Sequence, residues 1–138
     1  MTRLRLVLAA ACAVLLPAAA APTATATETQ DFCWNLDSSW SSTTQGRSGQ
    51  VSVVAHCEAR ADSWRIDVYV NGEWWALGTG GKIPGTGNHQ LTVNVPSMPK
   101  PNDKRGNFVW AKVTYKAGAT WVNVYEEELG WIPCRSCT

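Results

Sequence analysis

Histidine is scarce in this 138-residue chain, which carries two, His56 and His89. A Ser-His or Cys-His catalytic pair and a His-rich metal centre both draw on that residue, and neither a Gly-x-Ser-x-Gly nor a His-Glu-x-x-His arrangement is present. Charge is thin as well: Lys, Arg, Asp and Glu make up 17% of the residues, for a formal charge of +1. That is too little positive charge to hold a phosphate backbone or an anionic membrane surface, so nucleic acid is excluded as a partner. No apolar run reaches the roughly 20 residues of a membrane-spanning helix. The longest, Leu6 to Leu16, lies close behind the N-terminal Arg3 and Arg5.

That opening has the order of a secretory signal peptide: a positive start, a short apolar run, then small residues at Ala18 to Ala21 and at Ala24-Thr25-Ala26. Residues 1–26 are assigned to the leader, 27–30 to a flexible Thr-rich tail and 31–138 to one domain. The expected location is extracellular. Removing Arg3 and Arg5 leaves ten basic against eleven acidic residues, a charge near −1, and removing Cys12 leaves Cys33, Cys57, Cys134 and Cys137. An even set of cysteines in an exported chain of this size implies two disulfides. Either Cys33 bonds Cys57 and Cys134 bonds Cys137, or the pairing ties both termini to the domain.

Motifs for a cofactor or metal are incomplete. Cys134-Arg135-Ser136-Cys137 has no second Cys-x-x-Cys, and Glu126-Glu127-Glu128 has no spaced Asp/Asn loop beside it. Gly78-Thr79-Gly80-Gly81-Lys82 lacks the Ser or Thr and the following helix of a phosphate cradle. No cofactor and no metal are assigned. The carboxylates Glu58, Asp62, Asp67 and Glu73 cluster in sequence, as a small secreted hydrolase would need, but nothing draws two of them across a cleft. A non-catalytic protein is the expectation.

Short β-branched and aromatic stretches with period-two alternation fill the rest, punctuated by Gly, Pro and Asn. Strands are predicted at Gln50 to Glu58, Ser63 to Val70, Glu73 to Leu77, His89 to Val95, Phe108 to Tyr115 and Thr120 to Glu126. Shorter ones are placed near Phe32 to Leu36 and Trp131 to Ile132. The predicted fold is all-β, a small disulfide-bonded antiparallel β-sandwich of about 6–8 strands, Ig-like or jelly-roll-like, with a small β-barrel as the alternative.

Turn chemistry then sets which residues share a face. Asn71-Gly72 places Tyr69 opposite Trp74, Val68 opposite Trp75 and Ile66 opposite Leu77. Trp64, Ile66, Val68, Val70, Trp75 and Leu77 would face the core. A turn at Ala117-Gly118 places Thr114 opposite Trp121 and Trp110 opposite Tyr125, with Val122 and Val124 inward.

All eight tryptophans lie beyond the leader. Tyr69, Trp74, Trp110, Lys112, Trp121, Asn123 and Tyr125 fall on sheet faces that a minimal sandwich leaves to water, so they are the candidate binding residues. Rigid rings beside hydrogen-bonding side chains suit a polysaccharide, glycan or cell-envelope polymer. They equally suit a secreted protein partner, as in a hydrolase inhibitor or a subunit of an extracellular assembly.

Overall fold

A computed structural model describes residues 32–42, 46–118, 120–135 and 137; the predicted leader and tail lie outside them, as do the side chains of residues 120–122. The described strands are β1 (Cys33–Ser42), β2 (Gly49–Cys57), β3 (Ser63–Val70), β4 (Glu73–Gly80), β5 (Gly87–Val95), β6 (Asn107–Ala117) and β7 (Thr120–Ile132). They form two antiparallel sheets, in the orders β1-β2-β5 and β4-β3-β6-β7. Three strands facing four in this order is the Ig-like form of the predicted sandwich. It is not a closed barrel.

Period-two alternation builds the core as expected. In β2, Val51, Val53, Ala55 and Cys57 are fully buried, and Leu91, Val93 and Val95 of β5 continue that surface until Pro96 ends the strand. Ile66, Val68 and Val70 of β3 and Val109, Ala111, Val113 and Tyr115 of β6 pack from the opposite sheet. Each buried aliphatic side chain contributes about 1.5–3 kcal/mol. Cys33 and Cys57 are directly opposed on β1 and β2 and form a buried disulfide, and Cys134 bonds Cys137.

β1 and β7 run furthest past their predicted ends. β1 does not stop near Leu36: it pairs along the whole of β2, from Cys33 opposite Cys57 to Ser42 opposite Gly49. Ladder hydrogen bonds override the weak strand preference of its serines. Trp131 and Ile132 are the end of β7 rather than a separate strand.

Each predicted hairpin register is corrected by a bulge, because one extra residue swaps the faces of everything beyond it. At Asn71 and Gly72 φ is 52° and 86°, so the turn forms as predicted, with Val70 opposite Glu73 and Tyr69 opposite Trp74. Trp75 is then the extra residue. Val68 meets Ala76 and Asp67 meets Leu77, which leaves Ala76 buried and Leu77 45% exposed. Trp75 is half-buried against the core and donates its indole N–H to the Pro96 carbonyl at 3.1 Å.

In the second hairpin Ala117, predicted in the turn, pairs with Thr120, and Lys116 pairs with Trp121. A bulge follows at residue 122, so Tyr115 meets Asn123, Thr114 meets Val124 and Val113 meets Tyr125. Asn123 and Tyr125 therefore turn inward, and Val124, predicted in the core, is 50% exposed. A second bulge at Leu129 returns Trp131 to the side of Phe108 and sends Ile132 into the core.

The long connection before β6 is anchored by polar bonds. Asn107, wholly buried, accepts from Asn71 Nδ2 and donates to the Pro99 carbonyl, each at 2.8 Å. Met98 is buried, with its N–H bonded to the Arg47 carbonyl. Asn107→Ala removes both bonds of a wholly buried side chain, one from the exposed Asn71 and one to the half-buried Pro99, so it is expected to cost about 2 kcal/mol in urea unfolding. A loss within about 0.5 kcal/mol would show that the amide is not the anchor.

Candidate functional site

The outer surface of the four-stranded sheet is laid out in rows set by the ladder. One row across β4, β3, β6 and β7 reads Leu77, Asp67, Lys112, Glu126, and the next reads Trp74, Tyr69, Trp110, Glu128. Phe108 opposite Trp131 extends the face beyond them.

Asp67 organises the first row. Its carboxylate accepts from Arg65 Nε at 2.8 Å, from Arg65 Nη2 at 2.7 Å and from the Trp74 indole N–H at 3.0 Å. The Arg65 guanidinium is the main reason its carboxyl is held below the usual range, with the Trp74 bond adding to it and burial opposing. Trp74 is thus fixed by its nitrogen while its ring remains 54% exposed. An indole held in place and still open costs little entropy to use for binding.

Tyr69 and Trp110 stack in the second row, with ring planes 5° apart and centroids at 4.0 Å. Three hollows adjoin this face. One of about 360 Å³ is lined by Tyr69, Trp74, Asp67, Arg65 and Lys112, among others. Another of about 480 Å³ is lined by Trp110, Phe108 and Glu126 to Glu128. The third, of about 420 Å³, has Asn71, Asn102, Asp103, Phe108 and Trp131 around it. The stacked pair supplies a ring to each of the first two.

Bulges flank the stacked pair on both sides, between Val68 and Tyr69 toward β4 and between Val109 and Trp110 toward β7. Such bulges re-aim side chains and recur beside functional sites. Here they bring Leu77 to the outer face at one edge and Trp131 at the other.

Of the predicted site residues, Tyr69, Trp74, Trp110 and Lys112 share this face. Trp121 pairs through its backbone with Lys116, and its side chain lies outside the described residues. Asn123 and Tyr125 do not belong to the face. The Asn123 side-chain oxygen accepts from the N–H groups of Phe32 and Cys33 at 3.1 and 3.3 Å, pinning the start of β1. Tyr125 meets Tyr115 edge-on with centroids 6.2 Å apart, and burial pushes the Tyr115 phenol well above its ordinary pKa. Glu128 was missed because the bulge at residue 122 swaps the faces of β7, and Trp131 because it was assigned to a separate short strand rather than to the end of β7.

Two further tryptophans are structural. The indoles of Trp40 and Trp64 lie where a side chain at Gly49 or Gly80 would otherwise project. His56 is a strand residue of β2 bonded to Asn88 and tilted against Trp34. Asp62, one of the carboxylates weighed for catalysis, accepts from the Gly118 N–H and from Arg60, which together hold it below the usual range. Among the described residues no group of three or more His, Cys, Asp and Glu is placed to hold a metal. No helix among them is long and apolar enough to cross a membrane.

Fold and site together define a small disulfide-bonded β-sandwich with an aromatic outer face. No protein-family model matches the chain, and no curated protein does. Among solved structures it is similar to a protein from Archaeoglobus fulgidus, at 9% identity and a TM-score of 0.46 over 75% of this chain and 96% of that one. It is also similar to the CARDB domain of a Pyrococcus furiosus protein crystallised in complex with di-metal ions. That match has 15% identity and a TM-score of 0.40, over 71% of this chain and 82% of that one. Likenesses this distant carry nothing about ligand or site.

The Asp67 bonds give the face a pH dependence. A carboxyl with a lowered native pKa contributes stability above its unfolded value, about 4, which is lost as pH falls through the native value. Asp67→Asn is therefore expected to destabilise the protein at neutral pH, with the difference from the parent shrinking below about pH 4. Urea unfolding at both pH values checks it. An undiminished difference in acid would mean that the charge is not what Arg65 and Trp74 hold.

Proposed function

We propose that the protein is an exported, non-catalytic binding protein that recognises carbohydrate or cell-envelope polymer through the outer face of its four-stranded sheet. The observation that carries this is the row of Trp74, half exposed and oriented by Asp67, beside the Tyr69–Trp110 stack. Flat rings cover sugar faces at small entropic cost, and Lys112, Glu126 and Glu128 stand within the same hollows to bond hydroxyl groups. The leader-like opening and the two disulfides support an extracellular site of action.

The exposed aliphatic side chains Leu77 and Val124, at the two edges of the face, favour a second reading. Sugars have little use for them, whereas a protein partner does. That partner would be a secreted hydrolase or a neighbour in an extracellular assembly.

Sedimentation of the mature protein with insoluble polysaccharides separates the two. Binding to at least one of cellulose, chitin, xylan and peptidoglycan is expected, weakened about tenfold or more by Trp74→Ala, a change at an exposed position. Failure to sediment with any of them, together with a stoichiometric protein from culture supernatant that is lost on Trp74→Ala, would replace the glycan reading with the second.

A further inference from the structure

We propose that the hollow at Phe108, Trp131 and Asn102 is an additional subsite for the same glycan, so that the ligand is a linear chain of several sugars rather than a mono- or disaccharide. This rests on the glycan reading and extends it to residues outside the Tyr69–Trp74–Trp110 row.

Continuity comes first. Phe108 lines both this hollow and the one beside Trp110, and the two residues project from the same side of β6, about 7 Å apart along the strand. A chain lying against Trp110 meets Phe108 next and then Trp131, the cross-strand partner of Phe108, with ring centroids 5.3 Å apart. The hollows thus form one track along the face.

The new subsite is also held in shape. Asp103 takes the Arg105 guanidinium through both carboxylate oxygens, each bond 2.9 Å long. The guanidinium in turn lies 3.8 Å from the centre of the Trp131 ring. This fixes the indole from one side while 37% of Trp131 stays exposed. Behind it, Met98 and Asn107 anchor the loop, and the Gly106 N–H closes a turn on the Asp103 carbonyl at 3.0 Å.

Asn102 supplies the polar recognition. The Asn71 amide is committed to Asn107 and to the Phe108 N–H, and Asp103 to Arg105. Asn102 is exposed on the same hollow, and its side chain makes no hydrogen bond among the described residues. A primary amide both donates and accepts, as a pair of sugar hydroxyls requires.

The test is titration of the mature protein with soluble cello-, chito- and xylo-oligosaccharides from disaccharide to hexasaccharide, followed by calorimetry. Affinity is expected to rise about tenfold or more with length in the series that binds. Asn102→Ala and Trp131→Ala should each remove that rise and leave disaccharide affinity unchanged, whereas Trp74→Ala weakens every length. Because Trp131 is partly buried, its variant is checked by thermal unfolding, and the exposed Asn102→Ala gives an independent reading. Length-independent binding, or a rise that survives both substitutions, overturns the subsite and leaves the glycan reading standing. Binding at no length overturns the subsite, and together with failure to sediment with peptidoglycan it overturns both.

Discussion

A ladder whose side chains alternate with a period of two has no neutral way to absorb a single extra residue, because every position beyond it changes face. In the four-stranded sheet this happens at Trp75, at residue 122 and at Leu129. The first sends Leu77 outward and Ala76 inward, and the second exchanges Val124 with Asn123 and Tyr125. The third restores the phase in time to present Trp131. The composition of the outer face follows from these positions.

The same displacement supplies both the anchor and the open surface. Asn123, turned inward, meets the backbone at the start of β1 and ties the small sheet to the large one beside the Cys33–Cys57 disulfide. Freed from Asn123 and Tyr125, the outer face keeps a compact set of groups. Asp67 clamps Arg65 and Trp74, and the Tyr69–Trp110 stack stands between the hollows. Rigid elements carry these groups, and strand-borne sites are held more closely than loop-borne ones.

How much of this could be read beforehand follows from the kind of signal each element gives. β2 and β5 were legible because strict alternation and burial agree, and the Asn71-Gly72 turn because two positive φ values are a demand few residues meet. Tyr69 and Trp74 on one hairpin, and Trp110 and Lys112 on the other, were read as outward-facing because they lie on β6 or on the turn side of the first bulge; the β3–β6 pairing that joins the two faces left no mark in the sequence. Everything past a bulge was misplaced, since an inserted residue leaves no compositional mark: Val124 looks as suited to a core as Val122. The length of β1 was hidden for a different reason, as a serine-rich edge strand is held by its partner rather than by its own residues.

Because the bulges decide the surface, side-chain accessibility along β4 and β7 tests the structure most directly. Single cysteines at Val124→Cys, Leu77→Cys and Ala76→Cys would be challenged with a soluble thiol reagent under native conditions. The expected result is rapid labelling at positions 124 and 77 and protection at 76, in line with their present exposures of 50%, 45% and 7%. Protection at 124 and 77 would mean that the strands run in the regular register, and the outer face described above would not exist.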